Sequence, residues 1–165
     1  REGIILYGLY PSDKVKKSLS VLPCMSLKTN VSYVKEVEAG VSIGYGRTFF
    51  TKRKSKIATV PVGYADGYSR ALSNKAKVII NGTSVPVVGN VCMDQFMVDV
   101  TDAGDVKAGD TVILMGEDNG EVISADDIAR MENTISYEVL CGVGKRVPRI
   151  YIKNGETIKT VNYIN

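Results

Sequence analysis

Apolar and polar residues alternate along much of this chain with a period near two, the pattern of half-buried strands. Residues 25–37 show it in part, through Leu27, Val31 and Tyr33, and read as one strand. Residues 56–62 are rich in β-branched side chains and read as a second. Residues 78–88 carry Asn81-Gly82 between two apolar runs, the signal for a tight hairpin, and Asn154-Gly155 repeats it within residues 149–159. Residues 96–100 and 111–115 continue the series. A helical pattern is rarer. Residues 124–131 begin with Ser124 as N-cap and place Asp126 and Asp127 in the first turn. Residues 137–141 read as a short helix, residues 11–17 as a turn or short surface helix, and residues 102–110 as a connecting loop. Many short strands at this spacing predict a mainly β fold, a closed barrel or a sandwich with few short helices.

Composition narrows the function. At 165 residues the chain is about one domain long, and 44% hydrophobic with 24% charged residues is ordinary for a globular protein. The net charge of +3 is spread along the sequence, with no basic stripe interleaved with aromatics, so no nucleic-acid partner is expected. Three distant cysteines and no histidine argue against a disulfide framework or a metal site, and suggest a reducing compartment. No apolar run approaches the ~20 residues that span a bilayer, and no signal peptide is recognisable. The first residues, Arg1-Glu2-Gly3-Ile4-Ile5-Leu6-Tyr7-Gly8, open without a methionine in a strand-like run and read as the start of a piece of a longer protein.

Without histidine, acid/base chemistry near neutral pH needs another side chain. Two glycine-flanked tyrosines offer one: Gly44-Tyr45-Gly46-Arg47-Thr48 and Gly63-Tyr64-Ala65-Asp66-Gly67-Tyr68. A phenol beside the Arg47 cation would ionise more readily than its usual value of about 10. The alternative for Tyr45 is a strand-edge tyrosine at a glycine bulge. For Tyr64 it is a turn satisfied by Asp66 and Gly67. Val91-Cys92-Met93-Asp94-Gln95 offers a thiol with no base to activate it and a Met93 N–H suited to an anion, or simply core residues. Gly142-Val143-Gly144-Lys145-Arg146 resembles a phosphate cradle but lacks a Walker spacing.

Taken together and in this order, these segments resemble the C-terminal domain of the alanine racemase family, which uses pyridoxal 5'-phosphate. Ile123-Ser124-Ala125-Asp126 and Arg146-Val147-Pro148-Arg149 extend the likeness over nearly the whole chain. The resemblance implies a closed, Greek-key-like β-barrel over residues 9–165, with residues 1–8 as the last strand of, or the link to, an N-terminal barrel. It implies that Tyr45 is one of two catalytic bases, reaching into the partner's site in a homodimer, opposite a lysine on the N-terminal barrel. Tyr64 is then the substrate-entrance tyrosine, and Met93 the residue whose N–H holds the substrate carboxylate. Arg1 is the partner of the cofactor's pyridine nitrogen, keeping it unprotonated, and Gly3 and Ile4 offer backbone N–H groups to its phosphate. Lys145 stands where some members have a phosphate-contacting tyrosine.

The implied activity is interconversion of L- and D-alanine for peptidoglycan in the bacterial cell wall, in the cytoplasm or in the cytoplasmic domain of a membrane-anchored parent, with no membrane contact by this domain. Serine is the alternative substrate, because serine/alanine racemases of vancomycin resistance share the domain. A non-catalytic barrel that binds a ligand or partner is the reading from another class. The domain alone, without the lysine, is expected to be inactive.

Overall fold

Residues 25–37 bend instead of running as one strand, and the bend shapes the whole molecule. The computed structural model describes residues 2–12 and 14–164. Strand β1 (Leu27–Asn30) pairs antiparallel with β9 (Thr111–Asp118), and β2 (Tyr33–Val37) pairs with β5 (Ser55–Val60). Between them the sheet runs through β6 (Lys77–Ile80), β7 (Thr83–Val88) and β8 (Phe96–Asp99), in the order β1-β9-β6-β7-β8-β5-β2. Only Val31 and Ser32 separate its two end strands in the chain. Val31 N–H donates to Asp110 O at 2.8 Å and Ser32 N–H to Thr59 O at 2.9 Å, one to each end of the sheet. The sheet therefore closes on itself, as predicted, and leaves no long unpaired edge.

Alternation sets what fills the barrel. Val78, Val98, Val112, Leu114 and Phe96 are fully enclosed, with Phe96 stacked on Tyr68 at 4.8 Å between ring centroids. Enclosure keeps the Tyr68 phenol neutral, because burial first, and the Glu132 charge second, raise it far above its usual value.

Both predicted Asn-Gly hairpins form. Asn81 and Gly82, with φ of +50° and +71°, join β6 to β7. Asn154 and Gly155 join β11 (Arg149–Lys153) to β12 (Glu156–Val161) in a separate two-stranded sheet. Helices α1 (Ala125–Glu132) and α2 (Ser136–Gly142) lie where expected, and α1 turns Ile128 and Ala129 into the core. Three short strands were not anticipated: β3 (Ser42–Ile43), β4 (Phe49–Phe50) and β10 (Glu121–Ile123).

The apolar run at the start is a correction. Gly3–Tyr7 forms a 3-10 turn and not a strand, because Gly3 and Gly8 adopt φ of +58° and +76° and curl the chain at both ends. Arg1 lies outside the described residues. Among the described residues no helix is long and apolar enough to cross a membrane, and no group of His, Cys, Asp or Glu could hold a metal.

The N-terminus of α1 gives a pH-dependent contribution to stability. Burial opposes ionisation of Asp127, but hydrogen bonds from the Ser124 hydroxyl and N–H, with the Arg130 cation, outweigh it and hold the carboxyl below the usual carboxylate range. Stability from a carboxyl depressed in the native state is present above about pH 4 and lost as pH falls through the native value. Asp127→Asn should cost about 1 kcal/mol at pH 7, since the group is partly exposed. Urea unfolding should show that difference shrinking as the pH is lowered below about 4.

Candidate active site

Strands β5 and β8 pair with Val60 opposite Phe96. Beyond that pair both chains leave the ladder, but the loops that follow β5 and precede β8 stay bonded to each other. Tyr64 N–H donates to Cys92 O at 3.1 Å and Ala65 N–H to Met93 O at 3.0 Å. Gly63 makes the approach feasible, because a Cβ there would sit 2.2 Å from Cys92 O and 2.3 Å from Met93 O. Asp66 then caps the turn by accepting the Gly63 N–H at 3.0 Å. The two loops are thus an outgrowth of the barrel wall.

A third segment joins them. Arg146 donates to Asp94 at 2.7 Å and lies 3.4 Å from Asp66, whose side chain is only 13% exposed. Gly144 N–H donates to Asp66 O at 3.0 Å. The basic run suggested from sequence as a phosphate cradle therefore spends Arg146 on two carboxylates, while Lys145 Nζ lies 5.7 Å from the centre of the Tyr163 ring.

Tyr45 arrives from a different part of the chain. The β3–β4 ribbon carries the loop of residues 44–48, in which Gly44, Gly46 and Arg47 have φ of +74°, +76° and +50°. Ile43 anchors the ribbon in a small core with Ile57 and Val88. Arg47 Nε donates to Ser42 Oγ at 3.3 Å and its guanidinium stacks near Phe50, so that cation is engaged within its own ribbon.

These pieces meet in one open cleft of about 720 Å³, bordered by Tyr45, Tyr64, Arg70, Asn90, Met93 and Asp94 among others. Tyr45 is 75% exposed, Met93 52% and Tyr64 44%. Three residues singled out from sequence, spread over almost fifty positions, share this surface. Gly3 and Ile4 do not border it, and Ile4 is buried in the main core. Among the described residues nothing accepts the Met93 N–H. Cys92 is half-buried and donates weakly to Asn90 O at 3.5 Å, as a structural thiol would.

Arg70 and Asn90 were not picked out from sequence. Arg70 follows the 63–68 turn and opens a short 3-10 turn capped by Ser69, which aligns it with the cleft. A lone arginine or asparagine in a loop carries no periodic signal, so only the fold reveals them.

The approach at Gly63 is testable. Gly63→Ala should destabilise the fold by about 1–3 kcal/mol, because the clash is with backbone that cannot rotate away. Urea unfolding measures the loss. Amide chemical shifts of Tyr64 and Ala65 should move with it, and unchanged shifts would contradict the loop pairing.

Residues 24–151 match the family described as "Alanine racemase, C-terminal domain". A protein of Clostridium kluyveri named alanine racemase is 62% identical over 165 residues, which is 99% of this chain and 42% of that one. The crystal structure of alanine racemase from Bacillus anthracis with bound L-Ala-P superposes with a TM-score of 0.93 at 42% identity, covering 98% of this chain and 42% of that chain. Alanine racemase from Bartonella henselae, with covalently bound pyridoxal phosphate, superposes with a TM-score of 0.82 at 38% identity, covering 91% and 40%. The chain thus spans about two-fifths of the length of these relatives. It belongs to the alanine racemase C-terminal domain family.

Proposed function

We propose that this chain is the C-terminal domain of a pyridoxal-phosphate-dependent alanine racemase and supplies one half of a composite active site. The observation that carries this reading is the meeting of Tyr45, Tyr64 and Met93 in a single cleft. Racemisation needs one proton-transferring group on each face of Cα. Tyr45 Oη is the group on one face, and the opposing lysine belongs to the rest of the parent chain. The free Met93 N–H orients the substrate carboxylate, and the Arg70 cation on the same wall favours an anionic ligand end. Tyr64, fixed by its backbone bond to Cys92, narrows the approach.

The residues present suit the cofactor. The first N–H groups of a 3-10 turn have no partner inside it, which makes the turn at Gly3 and Ile4 a fitting phosphate contact. A Cβ at Gly3 would lie 4.0 Å from the Tyr137 hydroxyl, so that hydroxyl faces the turn. Arg1, which lies outside the described residues, is the proposed partner of the pyridine nitrogen. When bound, the cofactor spreads the negative charge left on Cα, which makes the α proton removable. Gly3 and Ile4 lie away from the cleft, and that separation supports a shared site in a homodimer: the turn serves one site while the cleft serves the partner's. Residues 1–8 are then the link to the N-terminal barrel, and three free cysteines suit a cytoplasmic setting.

The test is Tyr45→Phe in the full-length parent enzyme. Losing a general acid/base should lower kcat by about 10²–10⁴-fold while the absorbance of bound cofactor is retained. Turnover at the parental rate would remove Tyr45 from the chemistry. Residues 1–165 with added cofactor should not racemise alanine, and a polarimetric or coupled assay checks this directly.

A further inference from the structure

We infer that Asn90 is a positioning residue for Tyr45, locking the loop that presents the phenol to the segment that presents Met93. This rests on the catalytic reading of Tyr45. Among the described residues the Tyr45 phenol makes no hydrogen bond, and the side chain is largely exposed. Its place is therefore set through its backbone.

That backbone is held under constraint. Gly44, Gly46 and Arg47 all lie in the left-handed region, and Arg47 is not a glycine. A non-glycine residue there persists only where its surroundings enforce it. One enforcing contact is the Asn90 Nδ2 donation to the Tyr45 carbonyl at 2.8 Å. Gly46 makes room for it. A Cβ on Gly46 would come within 2.9 Å of Asn90 Nδ2, whereas one on Gly44 would clash with Met97 Cε at 2.8 Å and only touch Asn90 N. The glycine after Tyr45 is thus fitted to the amide as well as to the bend.

Asn90 is itself on fixed backbone. Gly89 N–H donates to Asn74 Oδ1 at 2.6 Å, and Val91 N–H donates to Ser73 Oγ at 2.9 Å. Asn74 also reaches the far end of the tyrosine loop, donating to Thr48 Oγ1 at 3.1 Å. Asn90 differs from Asn74 in two ways: it borders the cleft, and it lies three residues from Met93. Losing its donor frees the Tyr45 carbonyl while leaving the Met93 N–H in place. A displacement of about 1 Å at a reacting group can cost on the order of 10²-fold in rate.

The experiment compares Asn90→Ala and Asn90→Asp with Tyr45→Phe in the full-length parent. Asp keeps the size of Asn but has no N–H and carries a negative charge, so it guards against a variant that merely fails to pack. Both Asn90 variants should lower kcat by roughly 10–100-fold with cofactor content near the parent's, and Asn90→Ala should also keep KM near the parent's. The substrate deuterated at Cα should show a larger isotope effect for the enantiomer whose proton passes to Tyr45, and no increase for the other. A purely structural role would move both alike. Parental kcat in Asn90→Asp, or equal increases for both enantiomers, overturns the inference while Tyr45→Phe remains inactive. Parental turnover by Tyr45→Phe overturns the underlying reading instead.

Discussion

Everything at the cleft depends on the loops that follow β5 and precede β8 staying bonded to each other beyond the last formal pair of those strands. Val60 faces Phe96 in the barrel wall, and beyond that pair two backbone hydrogen bonds tie Tyr64 to Cys92 and Ala65 to Met93. Bonds of this kind fix direction as well as distance. The cleft loops therefore inherit the rigidity of a closed sheet, and the sheet is closed because residues 31 and 32 hand one bent segment from β9 to β5. Removing the bend would leave β5 at an open edge, and the loops beyond it would lose their frame.

Charge plays a narrower part. An exposed ion pair contributes little to stability on its own. Arg146 differs because a single guanidinium holds two carboxylates from two loops, and Asp66 also accepts the Gly63 N–H. A planar cation with several donors can make such a bridge where a lysine could not. Its effect is geometric, keeping three chain segments in register around one opening. The Tyr45 loop is held differently, by the neutral amides of Asn74 and Asn90. Amides do not titrate, so this arm keeps its shape across pH, in a chain that has no histidine to switch it.

The fold was largely legible from sequence because its signals are local. Asn81-Gly82 and Asn154-Gly155 specify hairpins through the φ values that those residues tolerate, and Ser124 specifies a helix start through one side-chain hydrogen bond. The bend at Val31 and Ser32 was hidden, since its cause is pairing with Asp110 and Thr59, far along the chain. At the start, the apolar run of Ile4, Ile5 and Leu6 looks like a strand, but glycines at both ends curl it. Residues 42–50 gave no strand signal because two-residue strands have no period to read. Of the cleft, the tyrosines and Met93 were visible as motifs. Arg70, Asn90 and the Arg146 bridge were not, because each acts through a neighbour that only the closed barrel brings near.

An exposed phenol is poorly placed for proton transfer to carbon, because water competes for its proton and weakens every electrostatic interaction around it. Tyr45 is three-quarters exposed, and Met93 and Tyr64 beside it are about half exposed. Within the proposed function, this exposure is what a half-site requires. The cleft presents its groups on a rigid wall, and the exclusion of water comes from the polypeptide that covers them. The division explains why the domain invests its constraints in the backbone of the tyrosine loop and not in contacts to the ring. A ring packed into its own domain could not reach across an interface, whereas a ring on a locked loop can protrude and still be aimed.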